Sequence, residues 1–171
     1  MTAIRSAGPT DADSILALYP LAFPAEDLTA LVQALLTHPD ALSLIAAEGD
    51  AVVGHIVFTR CPAAGGGPDL ALLGPLCVTP ARQRAGIGTA LTREGVRRLT
   101  LTGVGRVLVL GDPAYYARAG FAPETAVAPP YPLPDGWAPA WRGLALGGAP
   151  APRAQTLQVP EVWRDPALWG G

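Results

Sequence analysis

Thr79-Pro80-Ala81-Arg82-Gln83-Arg84-Ala85-Gly86-Ile87-Gly88-Thr89 is the stretch on which the reading of this chain turns. Before it, residues 70–78 are apolar and strand-like. After it, residues 87–101 have helical spacing, with Ile87, Leu91 and Leu99 on one face and Gly95 among them. Strand, glycine loop and helix in that order make an anion site out of backbone alone. The first turn of a helix has unpaired N–H groups and a positive dipole end, and Gly86 and Gly88 carry no side chain to hold an anion away. Two phosphate loops do not fit. A P-loop follows its glycines with Lys and Ser or Thr, and this chain has no Lys. A dinucleotide loop needs a third spaced glycine, which Glu94-Gly95 does not supply. On spacing alone, a glycine turn into a helix with no ligand stays open.

Working outward, the pattern predicts the order β-α-α-β-β-β-α-β-α, an α/β chain with a mainly antiparallel front half. The first strand covers 2–7. A helix over 14–19, capped by Thr10 or Asp11, stops at Pro20 and Pro24, and a second helix covers 26–37. Strands at 41–48 and 52–59 form a hairpin about Gly49-Asp50. In the strand over 70–78, Gly74-Pro75 implies a bulge or a local parting, because Pro has no N–H for the ladder. A strand follows at 106–110. Asp112 then caps a short helix with Pro113 at its first position, ended by Gly120. From 122 onward the chain is rich in Pro and Gly and holds all four Trp residues; strands are expected near 141–146 and 155–159.

Composition narrows the classes. The 171 residues suit one domain, half of them are hydrophobic, and the net charge is −2. No basic excess favours nucleic acid. No apolar run reaches the roughly 20 residues of a membrane span, and the start lacks a signal-peptide pattern, so a cytoplasmic protein is expected. Cys61 and Cys77 make neither a disulfide framework nor a metal cluster; Cys77 reads as a buried, inert thiol.

At this point the residues resemble a family. Gln83-Arg84-Ala85-Gly86-Ile87-Gly88 matches the Q/R-x-x-G-x-G/A signature of the GNAT N-acetyltransferases. Residues 73–80 look like that family's fourth strand and its exit. Tyr116 to Phe121 looks like its Tyr-x-x-x-Gly-Phe helix. Gly54-His55-Ile56 is similar to a third-strand element of a bacterial small-domain subgroup. The resemblance covers about 2–122 and implies one domain over 1–171, with 123–171 as an extension. It also implies the GNAT fold: a mixed, mostly antiparallel central sheet flanked by helices, with strands four and five splayed.

The resemblance further implies acetyl-CoA as co-substrate, with no metal. Its pantetheine arm would lie on backbone groups of Leu76, Cys77 and Val78. Its pyrophosphate would lie on amides of Gln83, Arg84, Ala85, Gly86, Ile87, Gly88 and Thr89, with Arg82 and Arg84 adding charge. Tyr116 matches the general acid that protonates the departing thiolate. Strand four lacks the Glu that relays the amine's proton in many relatives; His55 and Asp69 are the nearest candidates, and Glu26 could border the acceptor. Proton loss through water, with no dominant base, is the expectation. The acceptor is a small-molecule or peptide amine and the protein a monomer or homodimer, with neither nucleic acid nor membrane as partner. The alternatives are a non-catalytic acyl-CoA-binding or regulatory module and an α/β domain with no ligand.

Overall fold

The computed structural model describes residues 1–171. It has two compact units, Met1–Thr59 with Gly74–Arg97, and Arg60–Leu73 with Arg98–Gly171. The strands hydrogen-bond in the order β1-β2-β3-β4-β5-β8-β6, in chain-order numbering with ranges given below, as a mixed and mostly antiparallel sheet.

The first unit contains β1 (Ala3–Ser6), α1 (Ala12–Ala22), α2 (Thr29–Leu36), β2 (Ala41–Glu48), most of β3 (Ala51–Cys61), the second half of β4 (Leu70–Val78) and most of α3 (Ile87–Leu101). β1 and β3 both run antiparallel to β2, with Ile4 opposite Ala46 and Ile45 opposite His55. Four consecutive β2 residues, Leu44 to Ala47, are buried. A strand covered on both faces has an unbroken apolar run rather than an alternating one. On one side Ile15, Leu18 and Tyr19 of α1 and Val32 of α2 pack with Ile45, Ala47 and Cys77. α3 buries Ile87 and Leu91. Gly54 of β3 lets it approach: a Cβ there would stand 3.1 Å from both Ile87 Cγ2 and Leu91 Cδ1.

The limits of α1 and α2 differ from the sequence expectation: α1 already starts at Ala12, where Asp11 makes no side-chain cap, and α2 ends at Leu36. α1 does not stop at Pro20 but runs to Ala22, and Phe23 N–H closes on Tyr19 C=O at 2.7 Å. A proline in the last turn forfeits one ladder bond, and the buried Leu18 and Tyr19 before it, with the partly buried Ala22 and Phe23 after it, hold the helix. α2 starts at Thr29 rather than 26, because Asp27 Oδ1 accepts from Thr29 N–H and turns the chain there. β3 is longer than expected, reaching Cys61.

The second unit contains the first half of β4, β5 (Arg106–Leu110), α4 (Pro113–Arg118), β6 (Ala122–Pro123), β7 (Val127–Ala128), β8 (Trp141–Ala145) and β9 (Gln155–Thr156). β4 and β5 are parallel from Leu70 opposite Arg106 to Leu73 opposite Val109, and the registered pairing ends there, one residue before Gly74. β5 and β6 each pair antiparallel with β8, while β7 and β9 form a separate parallel pair. The tail is packed rather than loose. Trp169 meets Trp141 and Trp163 edge to face at 5.9 and 6.2 Å, and all three are buried. The carboxylate of Glu124 accepts from Arg106 Nε at 2.5 Å and from the N–H groups of Ala126 and Val127.

Candidate active site

The loop after β4 is built by local bonds. Thr79 N–H donates to Val53 C=O at 2.9 Å, Arg82 N–H to Thr79 C=O and Gln83 N–H to Pro80 C=O, which turns the chain sharply out of the strand. Gln83 Nε2 folds back to Val78 C=O at 3.1 Å. Arg84 and Gly86 then take φ values of 61° and 81°. For Arg84 this left-handed geometry costs roughly 1–2 kcal/mol, and alternating left-handed residues gather successive N–H groups into an anion-binding concavity. Residues 80–86 are exposed, and nothing stands within 4 Å of a Cβ placed on Gly86. Ala90 N–H already closes on Gly86 C=O. The amides of Ile87, Gly88 and Thr89 therefore precede the α3 ladder and have no acceptor within the helix. Loop and helix start fit a pyrophosphate.

Of the two arginines, Arg82 is committed. It is ion-paired with Glu48, which also accepts from Thr2 Oγ1 at 2.7 Å. Arg82, then Thr2, hold the Glu48 carboxyl below its usual range. Arg84, also exposed, has no such ion pair in the structure.

Along β4, Leu76 and Val78 are half-buried and Cys77 is buried; burial pushes its thiol up to about 12. His55, opposite Ile45 on β3, is fully buried. Its Nδ1 lies 2.6 Å from Tyr19 Oη and its Nε2 2.7 Å from Ser43 Oγ. Burial pulls its pKa down to about 4, so the ring is neutral. Tyr19 and Cys77 pack in one buried cluster. Beneath the connection from α1 to α2, Tyr19, Phe23, Glu26, Asp27 and Leu28 line a cleft, with the Tyr19 and Phe23 rings stacked at 6.2 Å.

In the second unit, Asp69 is half-exposed and receives Arg60 Nε at 2.7 Å, and Arg60 also reaches Thr102 C=O. Asp112 caps α4 as expected, accepting from Ala114 and Tyr115 N–H. Tyr116 is buried between Tyr115 and Phe121, at ring distances of 5.0 and 5.5 Å. Gly111 makes room for it: a Cβ there would lie 2.4 Å from Tyr116 Cε2. Gly120, at φ 93°, ends the helix and returns Phe121 N–H to Tyr116 C=O. That is the physical content of Tyr-x-x-x-Gly-Phe: the glycine turns the chain and the Phe ring packs on the Tyr. Burial, then Tyr115 and Asp112, raise the Tyr116 pKa, so the phenol stays protonated.

Sequence reasoning missed Tyr19, Ser43 and Glu48. Each looks ordinary in its own segment, and only tertiary pairing brings them to His55 or Arg82. The two-residue tether of Gln83 to Val78 was equally invisible.

Comparison with known proteins bears on the fold and the family. The chain is 39% identical to the uncharacterized N-acetyltransferase YjhQ of Escherichia coli K12 over 115 residues, 64% of each chain, so it spans just under two thirds of that relative. It is 35% identical to the uncharacterized N-acetyltransferase YhbS of the same organism over 126 residues, 69% of this chain and 72% of YhbS. The crystal structure of E. coli YhbS in complex with CoA superposes with a TM-score of 0.82 at 25% identity, covering 96% of this chain and 92% of that one. A GNAT family acetyltransferase from Brucella melitensis in complex with acetyl-CoA gives 0.73 at 31% identity, covering 95% and 98%. The model of the acetyltransferase (GNAT) family matches residues 12–121, from α1 through the phosphate loop to Phe121, and the chain belongs to that family.

Proposed function

We propose that this chain, acting as one domain over 1–171 and as a monomer or homodimer in the cytoplasm, transfers the acetyl group of acetyl-CoA to a primary amine by direct attack. The observation that carries the reading is the left-handed pair Arg84 and Gly86 ahead of the free amides of Ile87, Gly88 and Thr89. The coenzyme bound to the E. coli and Brucella relatives supports it.

Acetyl-CoA supplies the activated acetyl thioester. The loop amides from Gln83 to Thr89 bind its pyrophosphate, with Arg84 adding charge, and backbone groups of Leu76, Cys77 and Val78 hold the pantetheine arm. The amine nitrogen bonds to the acetyl carbon, the carbon–sulfur bond breaks, and Tyr116 O–H donates to the departing sulfur. A free thiol and a phenol have pKa values of about 8.5 and 10, so a protonated phenol suits that task.

The amine must lose a proton to attack. At pH 7 this costs roughly 4.6 kcal/mol for a lysine-like amine and about 1 for an α-amine. Asp69 is engaged by Arg60, and His55 has both ring nitrogens on protein hydroxyls. We therefore assign proton loss to water rather than to either side chain. The cleft beside Tyr19 and Phe23, bordered by Glu26 and Asp27, suits a cationic amine acceptor.

The lack of any carboxylate on β4 favours a second reading, a non-catalytic acyl-CoA-binding module. Two measurements separate them. Calorimetry with CoA should give saturable binding; no binding sinks both. Free-thiol release from acetyl-CoA with a panel of amino acids, polyamines, aminoglycosides and peptides should show turnover; binding with no release leaves only the module.

A further inference from the structure

Buried polar groups are costly unless every partner is in place, and the cluster on His55 is complete. It joins three elements of the first unit. The imidazole sits on β3, Ser43 on β2 and Tyr19 on α1, and the Tyr19 side chain packs in one buried cluster with Cys77 of β4. A neutral imidazole has one donor and one acceptor nitrogen, so one ring serves both hydroxyls without burying a charge. An apolar residue at 55 would fill the same space, and the strand neighbours Ile56 and Val57 are of that kind. The polar side chain therefore needs a reason beyond packing.

That reason lies in what Tyr19 touches. Tyr19 lines the cleft below the α1–α2 connection, and its ring stacks on Phe23. Its hydroxyl is held in the core by His55, and its side chain packs with Cys77. The neighbours of Cys77 along the strand, Leu76 and Val78, offer the backbone assigned above to the pantetheine arm. One phenol thus connects the wall of the acceptor cleft to the strand that holds the donor. We propose that His55 is a positioning residue that, through the Tyr19 hydroxyl, sets the acceptor cleft in register with β4. This rests on the acetyl-transfer reading and adds to it a determinant of turnover that touches neither substrate. Displacing reactants by about 1 Å costs on the order of 10²-fold in rate, so the tie should act on kcat rather than on donor affinity.

The experiment compares Tyr19→Phe, His55→Asn and His55→Gln with the wild type. Tyr19→Phe keeps the ring and removes the tie. The Asn amide occupies the Nδ1 position and can still meet Tyr19, whereas the Gln amide reaches the Nε2 position and meets Ser43 instead. Rates are read with acetyl-CoA and whichever amine of the panel above turns over, affinity by calorimetry with CoA, and folding by thermal melting. Tyr19→Phe and His55→Gln should lower kcat about tenfold or more, with the Kd for CoA within about twofold of wild type, and His55→Asn should recover most of the loss relative to His55→Gln. Wild-type kcat in Tyr19→Phe overturns the proposal, as does a loss of CoA binding in step with kcat or equal loss in the Asn and Gln variants. If both His55 variants fail to fold, Tyr19→Phe decides alone. A wild-type protein that binds no CoA overturns the acetyl-transfer reading instead, an outcome distinct from these.

Discussion

Gly95 of α3 stands directly against the ring of Phe58 on β3. A Cβ placed on Gly95 would come within 2.0 Å of Phe58 Cε2, and Phe58 is fully buried. Helix α3 rests against the strand at this point, and the loop at 83–88 leads into its N-terminus. Gly95→Ala should therefore destabilise the protein by about 1–3 kcal/mol, the usual cost of overpacking a core, despite the better helix propensity of alanine. Urea unfolding measures this, and a variant as stable as wild type would show that the ring yields freely.

Tyr116→Phe removes one hydroxyl and leaves the packing on Tyr115 and Phe121. If that hydroxyl is the general acid, kcat should fall about 10²-fold or more while the affinity for CoA is kept. The check is acetyl transfer beside calorimetry, and unchanged kcat removes the acid role.

Gly86 has open space around it but a φ of 81°. Gly86→Val meets no neighbour and still forces a β-branched residue into left-handed geometry. Stability should drop by about 1–2 kcal/mol, and CoA affinity should weaken by about tenfold as the amides turn away. Melting and calorimetry on the same samples separate the two effects.

His55 carries the pH signature. Its folded value is about 4 against an ordinary 6.5, with burial as the cause, and its neighbours Tyr19, Ser43 and Cys77 bring no charge at these pH values. Between those values the unfolded chain binds a proton that the folded chain does not. Stability is therefore full above pH 6.5 and declines as pH falls towards 4. The slope from this group reaches at most about 1.4 kcal/mol per pH unit. Unfolding midpoints between pH 7 and 4.5 should fall more steeply in wild type than in His55→Asn, and parallel curves would refute the assignment.

Both thiols are buried, and that of Cys77 is pushed up to about 12. Folded protein should react with a thiol reagent at least about tenfold more slowly than denatured protein. Absorbance of an aromatic disulfide reagent follows it, and rapid labelling of the native chain would contradict the burial.

Much of the frame was legible because local chemistry and tertiary demand agree. β2, β4, α3 and β5 have the limits that their apolar patterns predict, and the Asp112 cap was plain from spacing. Reading failed where a tertiary partner overrules a local signal. Pro20 marks a stop, yet α1 passes through it because Leu18 and Tyr19 are locked in the core. Strands β6 and β7 are two residues long and carry no periodicity. The turn at 83–88 was readable because its glycines act locally, Gly86 taking a left-handed φ. The His55 cluster was not, since Tyr19, Ser43 and Cys77 are distant in sequence and each alone resembles a core or surface residue.

Glu124 sets the limit on where this protein can be shortened. The family match ends at Phe121, three residues before a carboxylate that anchors Arg106 of β5 and the turn into β7. Truncation at the match boundary would strip β5 of its neighbour β8 and leave the Arg106 guanidinium without its counter-ion. The span of the family model is thus shorter than the chain that completes the pairing of β5, and deletion libraries cut at its boundary should lose stability.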